Sequence, residues 1–438
     1  MSEAQEEHPP LPKMTQQELD EVVRRHNMFM VGRSGGARAV VKDRDLSGLS
    51  MNGQNLSHSD FSGCRMRSAD LRNTNFESAT LFGCDLSNAK LINARLARAD
   101  MRGADVSGAN LYKADMTDVD MRKGRTIGGR GASSSDDHFK TATSGETLLV
   151  GSNLSGATMT KAAASGANFS GANLQDAKLQ GVKMRDVKMK GADLSNTNVV
   201  DADLRGADLS FSTMTGANLD QATTRGANLS RTLTDKAVGR DFIKVQVPLD
   251  DLIFRHTIWV ASSGKQGAQL DLTETDMRRG PSLAGKRLTG MKALQATFAG
   301  MDMTGVEIQG ARLDGSDFRK TLLHDADLRG SSFDGILGDR ADFSAAKLTP
   351  LSFRKAGGQQ YSIPCSFAGA SLRHASFQGC SAIEAIFKNA DLSEANFNGC
   401  DLRQADFRGA VIAGADFTGA AIDGALFDGP APNTGYLS

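Results

Sequence analysis

The sequence predicts an all-β solenoid, a four-sided parallel β-helix with two short capping α-helices. Three observations predict it. A large apolar residue returns at every fifth position through most of the chain, like residues recur at intervals of 20, and two helical segments interrupt the series, one near the start and one near the middle.

The period comes first. One stretch places Phe387, Leu392, Phe397, Leu402, Phe407, Ile412, Phe417, Ile422 and Phe427 five residues apart. Five fits neither the 3.6 period of an α-helix nor the 2 of a flat strand. Four such series are present, in all roughly 60 units. The expected solenoid segments are 34–124, 149–234, 264–355 and 365–430. The third series is read out to Phe353, with small residues at Ala293 and Gly338, and the fourth has one at Ala382. Two positions before each large residue stands a small one, as at Ala69, Ala79, Ala89 and Ala94. Such a pair cannot be buried within one unit, so the units must stack.

Residue type sets the number of units per coil. With three units, each wall mixes Phe and Leu. With four, one wall is Phe367, Phe387, Phe407 and Phe427, and the opposite wall is Phe377, Phe397 and Phe417. The other two walls are Leu372, Leu392 and Ile412, and Ala382, Leu402 and Ile422. Like residues stack in register, so a coil of 20 residues is expected. The cysteine pairs Cys64 and Cys84, and Cys380 and Cys400, keep the same interval.

The units ADLRN, ANLYK, ANLQD, ADLRG and ADFTG resemble the pentapeptide-repeat family, with its A(D/N)LxX pattern. The resemblance covers about two-thirds or more of the chain. It implies a right-handed quadrilateral β-helix.

The interruptions organise the chain. A helix is expected over 15–33, preceded by a disordered tail over 1–14, and a linker with an internal capping helix over 235–263. Leu19, Asp20, Val22, Val23, Arg25 and His26 align with Leu249, Asp250, Leu252, Ile253, Arg255 and His256, which suggests an internal duplication. The apolar residues of the first helix share one face, suited to covering an open β-helix end. The second helix carries Phe254 and Ile258 where the first has Arg24 and Met28, so it is expected to be buried on both faces, between the two solenoid halves. A Gly/Ser-rich insertion at 125–148 and a loop at 356–364 break the phase. Segments of this kind are disordered or carry partner specificity. A tail follows at 431–438.

Composition narrows function. Formal net charge is zero, with 51 acidic and 51 basic residues, so a strongly basic nucleic-acid binder is excluded and no direct nucleic-acid binding is expected. No apolar run reaches the 18–20 residues of a membrane span, and no membrane role is expected. The acidic, Pro-containing N-terminus lacks the features of a secretory signal, which points to the cytoplasm. Cys64, Cys84, Cys365, Cys380 and Cys400 all occupy the small inward position and read as replacements for Ala. His26 and His256 read as buried, hydrogen-bonded residues of the caps. The stretch GGRGASSS at 128–135 lacks the Gly-Lys-Ser/Thr ending of a phosphate loop. No catalytic residue, metal ligand or cofactor-binding residue is expected, and no cofactor.

The resemblance also brings an alternative, because some members of the family mimic DNA and bind type II topoisomerases such as gyrase. Duplex DNA carries one charge per about 1.7 Å, so a mimic of about 70 Å needs about 40 net charges. Of the four repeat series only the last is acidic, with a net charge of −4 over 361–428. Its candidate partner-binding residues are Asp391, Glu394, Asp401, Asp406 and Asp416. The favoured reading is a non-enzymatic interaction or scaffold protein that meets a protein partner through its rigid faces and inserted loops, with a homodimer through the C-terminal end as a further expectation.

Overall fold

The computed structural model describes residues 11–124, 145–236, 240–244, 247–354 and 360–435. Expectations for the first ten residues, for 125–144 and for the last three residues lie outside the described residues. The chain divides into two compact units, Met1–Lys236 and Ala237–Ser438. Among the described residues each has one α-helix followed by one solenoid, as the aligned helical segments predict.

Every wall of the solenoid is a ladder of single-residue parallel bridges, such as Asp70 to Lys90 to Asn110. The Leu71 N–H donates to the Lys90 carbonyl at 2.8 Å, and the Lys90 N–H to the Ala69 carbonyl at 2.9 Å. Each bridge thus closes two backbone bonds between coils. The walls meet at turns such as Thr74 N–H to Leu71 C=O, with Asn73 at a φ of 56°. That left-handed corner explains the Gly, Asn and Asp at the end of many units. The Asp or Asn before the large residue has a local task too. Its carboxylate or amide oxygen accepts the N–H two residues on, as Asp100 does from Arg102 at 3.1 Å. The A(D/N)LxX pattern therefore assigns one residue to the inner corner, one to the turn bond and one to the core.

The columns follow the 20-residue reading. Phe367, Phe387, Phe407 and Phe427 stack nearly parallel at 5.4, 5.0 and 4.9 Å, and Phe377, Phe397 and Phe417 at 4.9 and 5.0 Å. The two columns meet edge to face across the interior, as Phe377 and Phe387 do at 5.5 Å. At Gly338 a large inward residue is missing. A Cβ there would lie 2.8 Å from Leu372 Cδ2, so the side chain of the next coil occupies the space.

The phase breaks do not divide the solenoids. Asp105 pairs with Leu148 and Asp120 with Ala163, so the first two series form one continuous stack in the first unit. Likewise Ser332 pairs with Ser366 and Lys347 with Ser381 in the second. At the first insertion the Gly103 N–H, at a corner, donates to the Thr147 hydroxyl at 3.0 Å in place of a carbonyl of the next coil.

Several boundaries differ from expectation. Residues 12–14 are not part of a disordered tail: Lys13 pairs with Asp45, and the Asp45 N–H donates to the Pro12 carbonyl at 2.9 Å. The first helix, α1 (Gln16–Met30), stops short of 33; it is started by a reciprocal Thr15–Glu18 cap and followed by Gly32 at a φ of 67°. It buries Leu19, Val23 and His26 against the first coil. The second unit begins with β1 (Arg240–Asp241), which pairs with β2 (Thr275–Asp276) across α2 (Leu249–Ala261). Helix α2 buries Leu249 and His256. Its second apolar face is not covered within its own unit, since Phe254 is 67 % exposed. Leu249, Leu252 and Ile253 face the core of this unit, and Phe254 points away from it. The loop expected at 356–364 belongs to an antiparallel hairpin, β3 (Leu351–Arg354) with β4 (Gln360–Ile363). Phe353 therefore leaves the inward series, which ends at Leu348.

Candidate interaction surface

The acidic residues of the last coils lie on different walls. Asp391 stacks between Ser371 and Val411, Asp401 between Ser381 and Ala421, Asp406 between Ile386 and Leu426, and Asp416 follows Asn396. No two of these four share a wall. Glu394 sits at a corner with a φ of 58°, its carboxylate over Gly414, and burial there raises its pKa. A row of charge spaced like a phosphate backbone cannot be assembled from this set on any one face.

Their charge is also matched locally. Arg403 grips Asp401 at 2.8 and 2.7 Å, and Arg408 grips Asp406 at 2.9 and 2.6 Å. The guanidinium bonds hold both carboxyls below the usual carboxylate range. Asp416 is lowered by its bonds to Thr418, and Asp391 accepts the Ser393 hydroxyl at 2.6 Å. The same Asp-x-Arg fork recurs at Asp70–Arg72, Asp100–Arg102, Asp203–Arg205 and Asp327–Arg329. Sequence reasoning missed these forks, although the two-residue spacing is visible in every D-L-R triplet.

The hairpin is the element that departs most from the regular shaft. Its register pairs Leu351 with Ile363 and Phe353 with Tyr361, so these four share one face. Ser352, Arg354, Gln360 and Ser362 form the other. Leu351 anchors the base, because its Cβ lies where a side chain at Gly330 (φ +66°) would stand, only 2.5 Å away. Beyond that anchor the rings of Phe353 and Tyr361 stack at 5.2 Å and remain exposed, at 37 % and 44 %, beside Ile363 at 42 %. The signal for it was present: L-S-F-R and Q-Y-S-I alternate on either side of A-G-G.

The remaining chemistry-bearing groups are structural in their contacts. The Cys64, Cys84 and Cys400 thiols donate to the carbonyls of Val41, Phe61 and Phe377 in the adjacent coil, and all five cysteines are free and buried. Thr74 and Thr321 make the same bond from the same position. Burial pushes the Cys64 thiol up to about 12, which leaves little thiolate at neutral pH. His26 and His256 are fully buried and accept the N–H of Ala39 and Leu270 at Nδ1. His324 lies 3.0 Å from both Ser344 Oγ and Asp325, the residue types of a hydrolytic triad. The Ser344 hydroxyl, however, donates to Asp342, so His324 cannot take its proton. An open hollow of about 440 Å³ near Phe242 and Pro248 includes Arg279 and Lys286, which pair with Asp241 and Asp250. Among the described residues no helix is long and apolar enough to cross a membrane, and no group of three or more His, Cys, Asp or Glu side chains is arranged to hold a metal ion.

The family model for pentapeptide repeats matches eight copies, within residues 45–118, 147–186, 188–231, 287–319 and 365–429, more than half of the chain. Among solved structures the chain is similar to HetL, a pentapeptide repeat protein involved in heterocyst differentiation regulation from the cyanobacterium Nostoc sp. strain PCC 7120. Identity is 16 %, covering 90 % of this chain and 94 % of that one, with a TM-score of 0.22. It is also similar to QnrB1, a plasmid-mediated fluoroquinolone resistance protein, at 16 % identity over 62 % of this chain and 91 % of that one, TM-score 0.22. A third is Rfr23 from the cyanobacterium Cyanothece 51142, at 22 % identity over 30 % of this chain and 91 % of that one, TM-score 0.17. No curated protein matches.

Proposed function

This chain belongs to the pentapeptide-repeat family, its solenoids are right-handed quadrilateral β-helices, and on that premise we propose that it is a non-enzymatic cytoplasmic scaffold that grips a protein partner through the β3–β4 hairpin. The carrying observation is the exposed Phe353–Tyr361 stack with Ile363, braced at its base by Leu351 on Gly330. A rigid aromatic pair at a fixed position loses little freedom on binding, which is how a small patch contributes most of an interface. The polar walls contribute fit and solubility.

The test is affinity capture with the full chain and with the double variant Phe353→Ser, Ile363→Ser. Both side chains are exposed, so the fold should persist, as circular dichroism would verify. A partner captured by the parent should be lost from the variant. Equal capture by both would remove the hairpin from the reading. A gyrase supercoiling assay on the same pair addresses the DNA-mimic alternative, against which the scattered, Arg-matched carboxylates count. Inhibition or protection that vanishes on charge reversal at Asp401, Asp406 and Asp416 would favour that alternative instead.

The last coil of the second unit supports a further proposal, a homodimer through the C-terminal end. Val411 and Leu426 are exposed there, and Ile412, Ile422 and Phe427 only partly buried, with no coil stacked on them among the described residues. Light scattering should give twice the 46.4 kDa chain mass, falling to one on Ile412→Lys. A monomer at all concentrations removes the dimer.

A further inference from the structure

We propose that both cap helices are held down by a histidine latch that acid opens. The latch occurs twice, in the same form. In the first unit the Ala39 N–H donates to His26 Nδ1 at 3.1 Å, and the Ala37 N–H donates to the Arg25 carbonyl at 3.0 Å. In the second the Leu270 N–H donates to His256 Nδ1 at 3.0 Å, and the Ala268 N–H to the Arg255 carbonyl at 3.1 Å. In each case a helix clasps the strand that returns to the first coil. The rings stack on Phe29 at 6.3 Å and Trp259 at 5.6 Å.

A backbone amide can only donate, so each Nδ1 must carry a free lone pair. Both imidazoles are therefore neutral, with the proton on Nε2. Protonation of Nδ1 would set one donor against another and place a charge in a site with no exposed surface. Nε2 in both rings lacks a partner of good hydrogen-bond geometry, and the backbone of Ser57 at His26, and of Thr289 and Leu288 at His256, offsets only part of what burial costs such a charge. The groups facing His26 are Arg38, His58 and the backbone of Ser57; the first two repel a second positive charge. Those facing His256 are the backbone of Leu288 and Thr289 and the Trp259 ring. Burial accordingly holds both imidazoles below their ordinary value.

The direction of the pH effect follows. The closed latch takes no second proton, whereas the released histidine takes one at about 6.5. The stability the latch confers is complete above about pH 6.5 and is lost as pH falls through the depressed value. Neighbouring coils pair only with each other, so the caps can open while the shaft stays wound. Opening removes Leu19 and Val23, and in the second unit Leu249, from their core clusters and bares the first coil edge.

Hydrogen exchange of the full chain at pH 7.5 and 5.5, expressed as protection factors, tests this. At pH 5.5 peptides spanning 19–39 and 252–270 should lose at least about tenfold in protection, while coils around Leu96 and Phe377 keep theirs. The double variant His26→Gln, His256→Gln, whose amide oxygens can accept the same N–H without titrating, should lose the pH response. Unchanged protection of the caps at pH 5.5 overturns the proposal, as does an equal response in the variant. Should that variant not fold, histidine-labelled NMR of the parent decides. Imidazoles at 26 and 256 that titrate at or above 6.5 overturn the latch; values below it, coincident with cap opening, sustain it.

Discussion

Phe387→Ala should lower the stability of the second unit by about 3–5 kcal/mol, the range for deleting a buried Phe. Its ring is fully buried and lies between Phe367 at 5.4 Å and Phe407 at 5.0 Å, with Phe377 and Phe397 edge-on at 5.5 and 5.6 Å. The column cannot collapse onto the gap, because the spacing of the coils is set by backbone bridges such as Ile386 to Asp406, not by the side chains. The void persists, and four aromatic contacts are lost together. Coils after the break, from about residue 387 onward, should then fray first. In urea unfolding of the full chain the transition of the second unit should move to lower denaturant while that of the first stays in place. A loss under about 1 kcal/mol would mean that the stack relaxes and that the columns are not what holds the shaft.

Leu19→Asp should release α1 and drive the protein into higher-order association. Leu19 is fully buried between the helix and the first coil, with Val23 beside it. An ionised carboxylate buried there costs several kcal/mol. Since α1 is a single short helix, that exceeds what its remaining contacts hold. The bared coil then offers unpaired backbone groups along four walls to another chain. Size-exclusion chromatography with light scattering should show higher-order species. The control is Phe254→Asp, at a site 67 % exposed, expected to shift stability by less than about 0.5 kcal/mol and to stay dispersed. A monodisperse Leu19→Asp protein of unchanged stability would show that α1 is not a cap.

The reason so much was legible is that each repeat solves its own problem. Leu71 buries itself, Asp70 bonds the following turn, and Asn73 takes the left-handed corner, all within one unit. Such local assignments reappear every five residues, so a single chain carries many copies of the same evidence. From sequence alone only 356–364 reads as a loop, and the first strand of the hairpin reads as solenoid, because Phe353 happens to keep the five-residue phase. Its pairing with Tyr361 is a relation between two segments, invisible to a count along one. The matching of Asp401 by Arg403 was overlooked for a different reason. A tally of charge treats the two as separate, whereas a fork at 2.7 Å makes them one neutral group on the surface.

The amino-acid order by itself determined the coil, its four walls, the phenylalanine columns and the duplicated helix-plus-solenoid plan, because inward side chains must repeat in step with the backbone that stacks them. Only the tertiary structure decided that neither insertion interrupts its stack, that acidic residues close in sequence stand on four different faces, that Phe254 faces away from its own solenoid, and that two histidines accept backbone amides. Those outcomes depend on contacts between residues distant along the chain, where geometry, and not periodicity, sets what touches what.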